Sequence, residues 1–373
     1  MNTKWKKLPF TEVIDDVTRG NVKTLQREFK ASGSFPIVDQ GKALIAGYTD
    51  DKTRLCKAQL PVIVFGDHTK CLKFIDFPFC LGADGTKILK PKIEADEKYL
   101  YHFLQTAHIP ESGYSRHFKY LKEAEITLPP IEDQRRIAAI LDQADNLRRQ
   151  RQECISKLTK LEQSYFYELF GDPTTNPKGF PQGTIRELME DVRYGTSKKA
   201  HVEKRGIPIL RMGNVTYEGQ LDLDDLKYIE LEEKDFSKWT VEKDDLIFNR
   251  TNSKELVGKT AVYGLEAPMA LAGYLVRGRT NENGDPYYVS GYLNSPHGKT
   301  TLRNMCKNIV GMANINAQEF QSISILVPPI ETQKRYRRLI EQVSVQRDTL
   351  RHSFTKLNDL FLSLQQRAFN GEL

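Results

Sequence analysis

The chain has 373 residues, enough for two domains, and its 39% hydrophobic and 28% charged residues are ordinary for a soluble globular protein. No apolar run approaches the ~20 residues of a membrane span, and the opening "MNTKWKKLPF" carries lysines without a following apolar stretch, so neither a membrane segment nor a secretion signal is expected. The net charge of +6 is too small to define a nucleic-acid binder by itself, and five scattered cysteines are expected to be free thiols in a reducing cytoplasm.

Residues 1–128 form the first predicted globular domain. Val, Ile, Phe and Tyr come in short runs broken by Gly, Asp and Asn, and "LPVIVFGDHTKCLKFIDFPF" reads as a strand, a polar turn and a second strand. Cys56, Cys71 and Cys80 with His68 do not have the short Cys-x2-4-Cys separations of a structural zinc site, so no metal is expected. A helical stretch, "EKYLYHFLQTA", and a basic, hydroxyl-rich stretch, "SGYSRHFKY", close the domain.

Residues 129–171 read as one long helix. Pro129 and Pro130 suit a helix start, Glu132 and Asp133 suit the positive end of its dipole, and Gly171 suits its stop. About 40 residues at 1.5 Å each make roughly 60 Å of helix. Ile137, Ile140, Ala144, Leu147, Cys154, Leu158, Leu161 and Tyr165 follow a heptad and predict a coiled-coil seam, interrupted at Arg151.

The turn-rich "GDPTTNPKGFPQG" opens a second globular domain, residues 172–327. "DDLIFNRTNSKELVGKTAVY" again reads as strand, turn and strand, and "YYVSGYLNSP" as a short helix. "GTSKKAHVEKR" and "FNRTNSK" mix Lys and Arg with Ser, Thr and Asn, a composition that serves a nucleic-acid surface as well as an ordinary solvated loop.

Residues 328–373 then repeat the first helix. At an offset of 199 residues and without a gap, Pro129, Pro130, Ile131, Glu132, Gln134 and Arg136 match Pro328, Pro329, Ile330, Glu331, Gln333 and Arg335. The match continues through Arg148 with Arg347 and Phe170 with Phe369. Tyr336, Leu339, Val343, Leu350, Leu357, Leu360 and Leu364 fall in the same predicted frame, interrupted at Gln346. The gapless duplication favours mutual packing of the two helices over packing of each on its own domain.

Catalytic signatures are missing. The Gly-Lys-Thr triplets at Gly258 and Gly298 lack the upstream glycine of a phosphate loop, and there is no Gly-x-Gly-x-x-Gly after a strand, no His-Glu-x-x-His and no Gly-x-Ser-x-Gly. A non-enzyme is expected. The rival readings are a DNA methyltransferase or nuclease fragment with unrecognised motifs, and a coiled-coil scaffold that does not bind DNA.

The duplicated "LPPIEDQRRIAAILDQADNLRRQRQECISKLTKLEQSYFYELFGD" and "VPPIETQKRYRRLIEQVSVQRDTLRHSFTKLNDLFLSLQQRAFNGEL" resemble the two conserved regions of the specificity subunits of type I restriction–modification enzymes. The segments around "IVFGDHTK" and "IFNRTNSKELVGKT" resemble that family's two target-recognition domains. The resemblance implies an α+β protein. Two mixed α/β target-recognition domains are separated by two long conserved helices, which form an antiparallel coiled coil with a pseudo-twofold.

It also implies a cytoplasmic, non-catalytic subunit that reads an asymmetric bipartite site in double-stranded DNA. The helices act as a ruler and dock two methyltransferase subunits, which restriction/translocase subunits join. S-adenosylmethionine, ATP and magnesium serve those partners, and this chain needs no cofactor and no metal.

Resemblance and chemistry together point to Asp67, His68, Thr69 and Lys70, with Tyr114, Ser115, Arg116 and His117, as DNA contacts of the first domain. In the second they point to Thr196, Ser197, Lys198 and Lys199, with Asn249, Arg250, Thr251, Asn252 and Ser253. Asp67 is equally suited to accept from a cytosine amino group or to cap its own turn. No nucleophile accompanies His68, so it is not read as a catalytic base, and Gly82 and Gly85 are read as turn formers.

Overall fold

The computed structural model describes residues 5–82, 85–110, 115–309 and 312–373. The chain divides into two compact units, Met1–Arg151 with Ser353–Leu373, and Gln152–His352. Long helices run over Ile131–Phe170 and Ile330–Phe369, each ending at a glycine with positive φ, Gly171 (75°) and Gly371 (78°). A side chain is strained in that conformation, so glycine sets both stops. Residues 131–151 of the central helix belong to the first unit and residues 152–170 to the second.

In the first unit a four-stranded antiparallel sheet has the order Ile14–Asp16, Thr86–Pro91, Val62–Gly66, Leu72–Ile75. A smaller sheet pairs Phe35–Val38 antiparallel with Gly47–Thr49 and parallel with Cys80–Leu81. Lys6–Pro9 pairs with Glu125–Leu128 and closes the globular part just before the central helix. The "VIVFG" strand, buried at all five positions, packs Ile63 and Phe65 into one core and Val62 and Val64 into another, the alternation a strand buried on both faces requires.

The second unit repeats this plan. Its main sheet has the order Met189–Tyr194, Leu275–Thr280, Leu246–Asn249, Thr260–Val262. Its smaller sheet again contains one parallel pair, Ile207–Leu210 with Met269–Leu271, and Gln182–Thr184 pairs with Ser324–Leu326 before the C-terminal helix. Two segments with little shared sequence therefore share a core topology, to which the second unit adds a strand at Thr240–Val241 and a three-stranded sheet of Thr251–Asn252, Met312–Asn314 and Lys307–Ile309.

Both units join helix to domain in the same way. Buried Gln134 donates through Nε2 to the Pro129 carbonyl (2.8 Å) and accepts the Asp96 N–H (2.9 Å), and Asp96 caps the helix Glu97–Leu104. Buried Gln333 donates to the Pro328 carbonyl (2.8 Å) and accepts the Asp285 N–H (2.9 Å), and Asp285 caps the helix Pro286–Asn294. Tyr99 and Tyr288, three residues after each cap, donate to the carbonyls of Thr127 and Leu326, both at 2.6 Å.

Within each unit the two helical segments run antiparallel. In the first, Arg136 meets the Leu373 carbonyl and Arg148 meets Asn358; in the second, Arg347 pairs with Glu162 while Phe166 and Phe170 pack against Tyr336. The seam keeps half of the expected frame, with Ile137, Ala144, Tyr336 and Val343 buried, and shifts the alternate position by one residue. Leu141, Ile155, Phe361 and Ala368 are buried there, a four-then-three rhythm in place of three-then-four. Leu147 and Leu360 are about half exposed (48% and 49%), and Cys154 is exposed.

Arg151 keeps its half-buried place in the seam, and the interruption of the second helix moves by one residue. Gln346 is exposed and Arg347 beside it turns inward, only 5% exposed. Arginines occupy inward positions that a count of apolar residues passes over, and that choice of residue displaced the predicted frame.

Candidate nucleic-acid interface

The two units hold their polar loops on matching hydrogen-bond frames. In the first, the strand Val62–Gly66 runs into Asp67, whose N–H donates to Gly85 O (2.6 Å) and whose carbonyl accepts from His117 N–H (2.7 Å). In the second, Leu246–Asn249 runs into Arg250, whose N–H donates to Tyr274 O (3.1 Å) and whose carbonyl accepts from Ile315 N–H (2.9 Å). Thr24 and Thr196 donate their N–H groups to Leu81 O (2.8 Å) and Leu271 O (2.7 Å) at the end of the parallel pair. Asp67 and Arg250 thus occupy equivalent places, as do Gly85 and Tyr274.

In the first unit Asp67 is 5% exposed, and its carboxylate accepts the Phe118 N–H (2.7 Å) at the start of the short helix Phe118–Leu121. It stabilises a distant loop rather than its own turn. The His68 N–H donates to the Gln40 side chain (3.2 Å), and the exposed Thr69 donates its hydroxyl to the Gln40 carbonyl. Lys70 adopts φ 60° and donates through Nζ to Pro110 O (2.9 Å). Arg116 is exposed, Ser115 half-buried and His117 buried; Tyr114 lies outside the described residues. Gly85 sits at φ 87° with room for no Cβ beside Gln40 and His68, so it shapes the turn.

In the second unit the residues around Arg250 converge with those around Thr196. The Arg250 guanidinium lies 5.0 Å from the centre of the Tyr194 ring, and the Gly273 N–H donates to Thr196 O (2.8 Å). Thr251 donates to the Asn314 side chain (2.9 Å), and Asn252 accepts the Ser253 N–H (2.9 Å). Asn249 and Thr196 are buried and shape the backbone: Asn249 accepts the Gly258 N–H through its carbonyl (2.8 Å), and the Thr196 hydroxyl accepts the Lys198 N–H (3.1 Å). Lys198 lies over Trp239 and 3.4 Å from Asp235, while Ser197 and Lys199 are exposed.

Tyr194 and Tyr274, 44% and 54% exposed, flank this cluster, and the sequence reading missed both. Their signal is a tyrosine at the polar end of a strand or beside a glycine turn, which is common in any β-rich chain. No group of His, Cys, Asp and Glu fit to hold a metal ion occurs among the described residues, and all five cysteines are free. No helix of the described residues is long and apolar enough to cross a membrane.

A protein with two like α/β units, each bearing a polar loop cluster and segments of two long helices, has a recognised counterpart. The family described as the type I restriction modification DNA specificity domain matches residues 2–157 and 177–353, and the chain belongs to that family. It is 27% identical over 270 residues to the EcoKI specificity subunit of Escherichia coli K12, covering 66% of this chain and 57% of that protein. It is 24% identical over 312 residues to the StySPI specificity subunit of Salmonella potsdam, covering 76% of this chain and 67% of that one. The chain thus spans less than two thirds of the length of the Escherichia coli relative. The S subunit of a type I restriction–modification system from M. genitalium has the same fold, with a TM-score of 0.62, 16% identity and 99% and 96% coverage of the two chains.

Proposed function

We propose that this chain is the DNA-reading subunit of a type I restriction–modification enzyme. Each unit reads one half of an asymmetric bipartite site in double-stranded DNA, and the chain itself is not catalytic. The long helices bind two methyltransferase subunits and set the spacing between half-sites. Restriction/translocase subunits join that assembly in the cytoplasm, and S-adenosylmethionine, ATP and magnesium serve those partners.

One observation carries the reading. The two units repeat a single backbone frame yet fill it with different side chains, a buried aspartate at 67 where the other has a half-buried arginine at 250. Different side chains on one frame suit two different half-sites, where an ordinary symmetric dimer would read a palindrome. The sequence-selected candidates, from His68 and Lys70 to Arg116 in one unit and from Ser197 to Ser253 in the other, are assigned to base and phosphate contacts on this basis.

The test is methylation sequencing of cells with and without the gene, backed by selection from randomised duplex DNA with the methyltransferase subunits present. The expected motif has two unrelated short half-sites and an unspecified gap of fixed length. A palindrome, or no motif at all, would overturn the proposal. Transfer of labelled methyl groups by the isolated chain would instead show it to be an enzyme.

A further inference from the structure

Six arginines of the second unit are buried or half-buried: Arg211, Arg250, Arg277, Arg279, Arg337 and Arg347. Five of them hold an aspartate or glutamate. Arg250 holds no carboxylate among the described residues. Its Nε, like those of Arg211, Arg277 and Arg347, is buried without a hydrogen-bond partner, but here no carboxylate holds the other nitrogens, and Nη1 makes one long bond to Gly273 O at 3.5 Å. Partly burying a guanidinium without a counter-charge is unfavourable, and the face of Tyr194 offsets only part of that. The neighbouring arginines show that this unit pairs such cations when their role is structural. Arg250 is held ready for a partner outside the chain.

The support for Arg250 is rigid. The Tyr194 hydroxyl accepts the Ala317 N–H at 2.9 Å, which fixes the ring on which the guanidinium lies. The arginine backbone is bonded on both sides, to Tyr274 O and from Ile315 N. A phosphate contact needs little of this, because a flexible lysine in water serves as well. A planar fork fixed in orientation suits two acceptors at fixed separation, the N7 and O6 atoms of guanine in the major groove.

Building on the DNA-reading role proposed above, we propose that Arg250 reads one guanine in the half-site of the second unit and that Tyr194 is its positioning residue. The equivalent place in the first unit holds Asp67, whose carboxylate is already engaged with Phe118 N–H, so this contact belongs to one half-site alone.

The experiment uses the full chain with its methyltransferase subunits. Wild-type protein selects a site from randomised duplex DNA, and affinity is then measured for that site and its single-base variants over a range of salt. Arg250→Ala should abolish the preference at one guanine, a loss of roughly 5- to 150-fold in discrimination there, while the other half-site stays as selective as before. Arg250→Lys keeps the charge and should lose the same discrimination with the salt dependence unchanged, and Tyr194→Leu should lose part of it.

The intact selectivity of the first half-site is the folding control within each variant. If Arg250→Ala weakens all sequences equally and lowers the log–log salt slope by about 0.9, Arg250 anchors a phosphate and the inference is wrong. Should wild type itself show no sequence preference, the DNA-reading proposal fails, an outcome separate from the first.

Discussion

Gln134 and Gln333 are polar residues with almost no exposure, and each spends its amide entirely on backbone groups at the root of a long helix. Gln333 donates to two carbonyls, Pro328 and Asn283, and accepts the Asp285 N–H. Gln333→Leu removes three bonds and leaves a buried N–H unsatisfied, which should cost about 2–4 kcal/mol. Urea denaturation measures it; an unchanged midpoint would mean that the clamp is dispensable.

Asp285 next to it gives a pH prediction. Burial is the main cause that lifts its carboxyl to about 6 from an ordinary 3.8, against the lowering effect of the Tyr287 N–H and of Arg337. The folded state then binds more protons than the unfolded state between these values, so this group's contribution to stability falls as pH rises from 3.8 through 6. Asp285→Asn retains a capping oxygen and should flatten that decline, gaining stability relative to wild type at pH 7 but not at pH 3.5. Thermal unfolding at the two pH values checks the sign, and an equal effect at both would refute it.

At the scale of the helix, the duplication places the same arginine against different partners. Arg347 lies 199 residues beyond Arg148, and Phe361 lies 199 beyond Glu162. In the first unit Arg148 lies over the Phe361 ring, 4.3 Å from its centre; in the second Arg347 pairs with Glu162, both largely buried. Arg347→Met strands a buried carboxylate and should destabilise by about 3–5 kcal/mol, while Arg347→Met with Glu162→Met should recover most of that loss. Arg148→Met leaves no such charge alone, since Asp145 keeps Arg149 at 2.5 Å, and should cost less. Unfolding free energies of wild type and the three variants decide the matter, and a double variant no more stable than Arg347→Met would contradict it.

The same arginines explain what the sequence concealed. Both helices, their proline starts and their glycine stops are legible because proline, glycine and first-turn acids act locally. The facing seam is set by what each position meets across the pair. Leu147 and Leu360 look like seam residues by spacing yet stand about half exposed, whereas Arg148 and Arg347 look like surface residues yet turn inward.

For the whole molecule, the strand–turn–strand pair and short helix common to both units were legible, but their shared sheet order was not, because backbone hydrogen bonds hold it and side chains are free to diverge on it. Thr24 and Thr196 make equivalent bonds in unlike sequences. The candidate interface was legible as polar turns beside strands, but the role of each residue depended on burial. Asp67, Thr196 and Asn249 have the right chemistry for bases and are enclosed, while Tyr274 drew no notice and is exposed.

The last consequence concerns the spacing role proposed for the helices. Residues 131–151 and 152–170 of one continuous helix belong to different units, so inserted helix lengthens the chain between them. Seven residues inserted after Arg149 and seven after Asp348 keep the seven-residue phase of both helices and add about 10 Å, the rise of about three base pairs. Both insertion points are exposed, and a whole heptad returns every later seam residue to the same face of its helix. Methylation sequencing should return both half-sites unchanged with a longer unspecified gap. A four-residue insertion in the central helix alone rotates every later side chain off the seam and should abolish assembly. If the heptad variant stays folded and active but keeps the original gap, some element other than these helices sets the spacing.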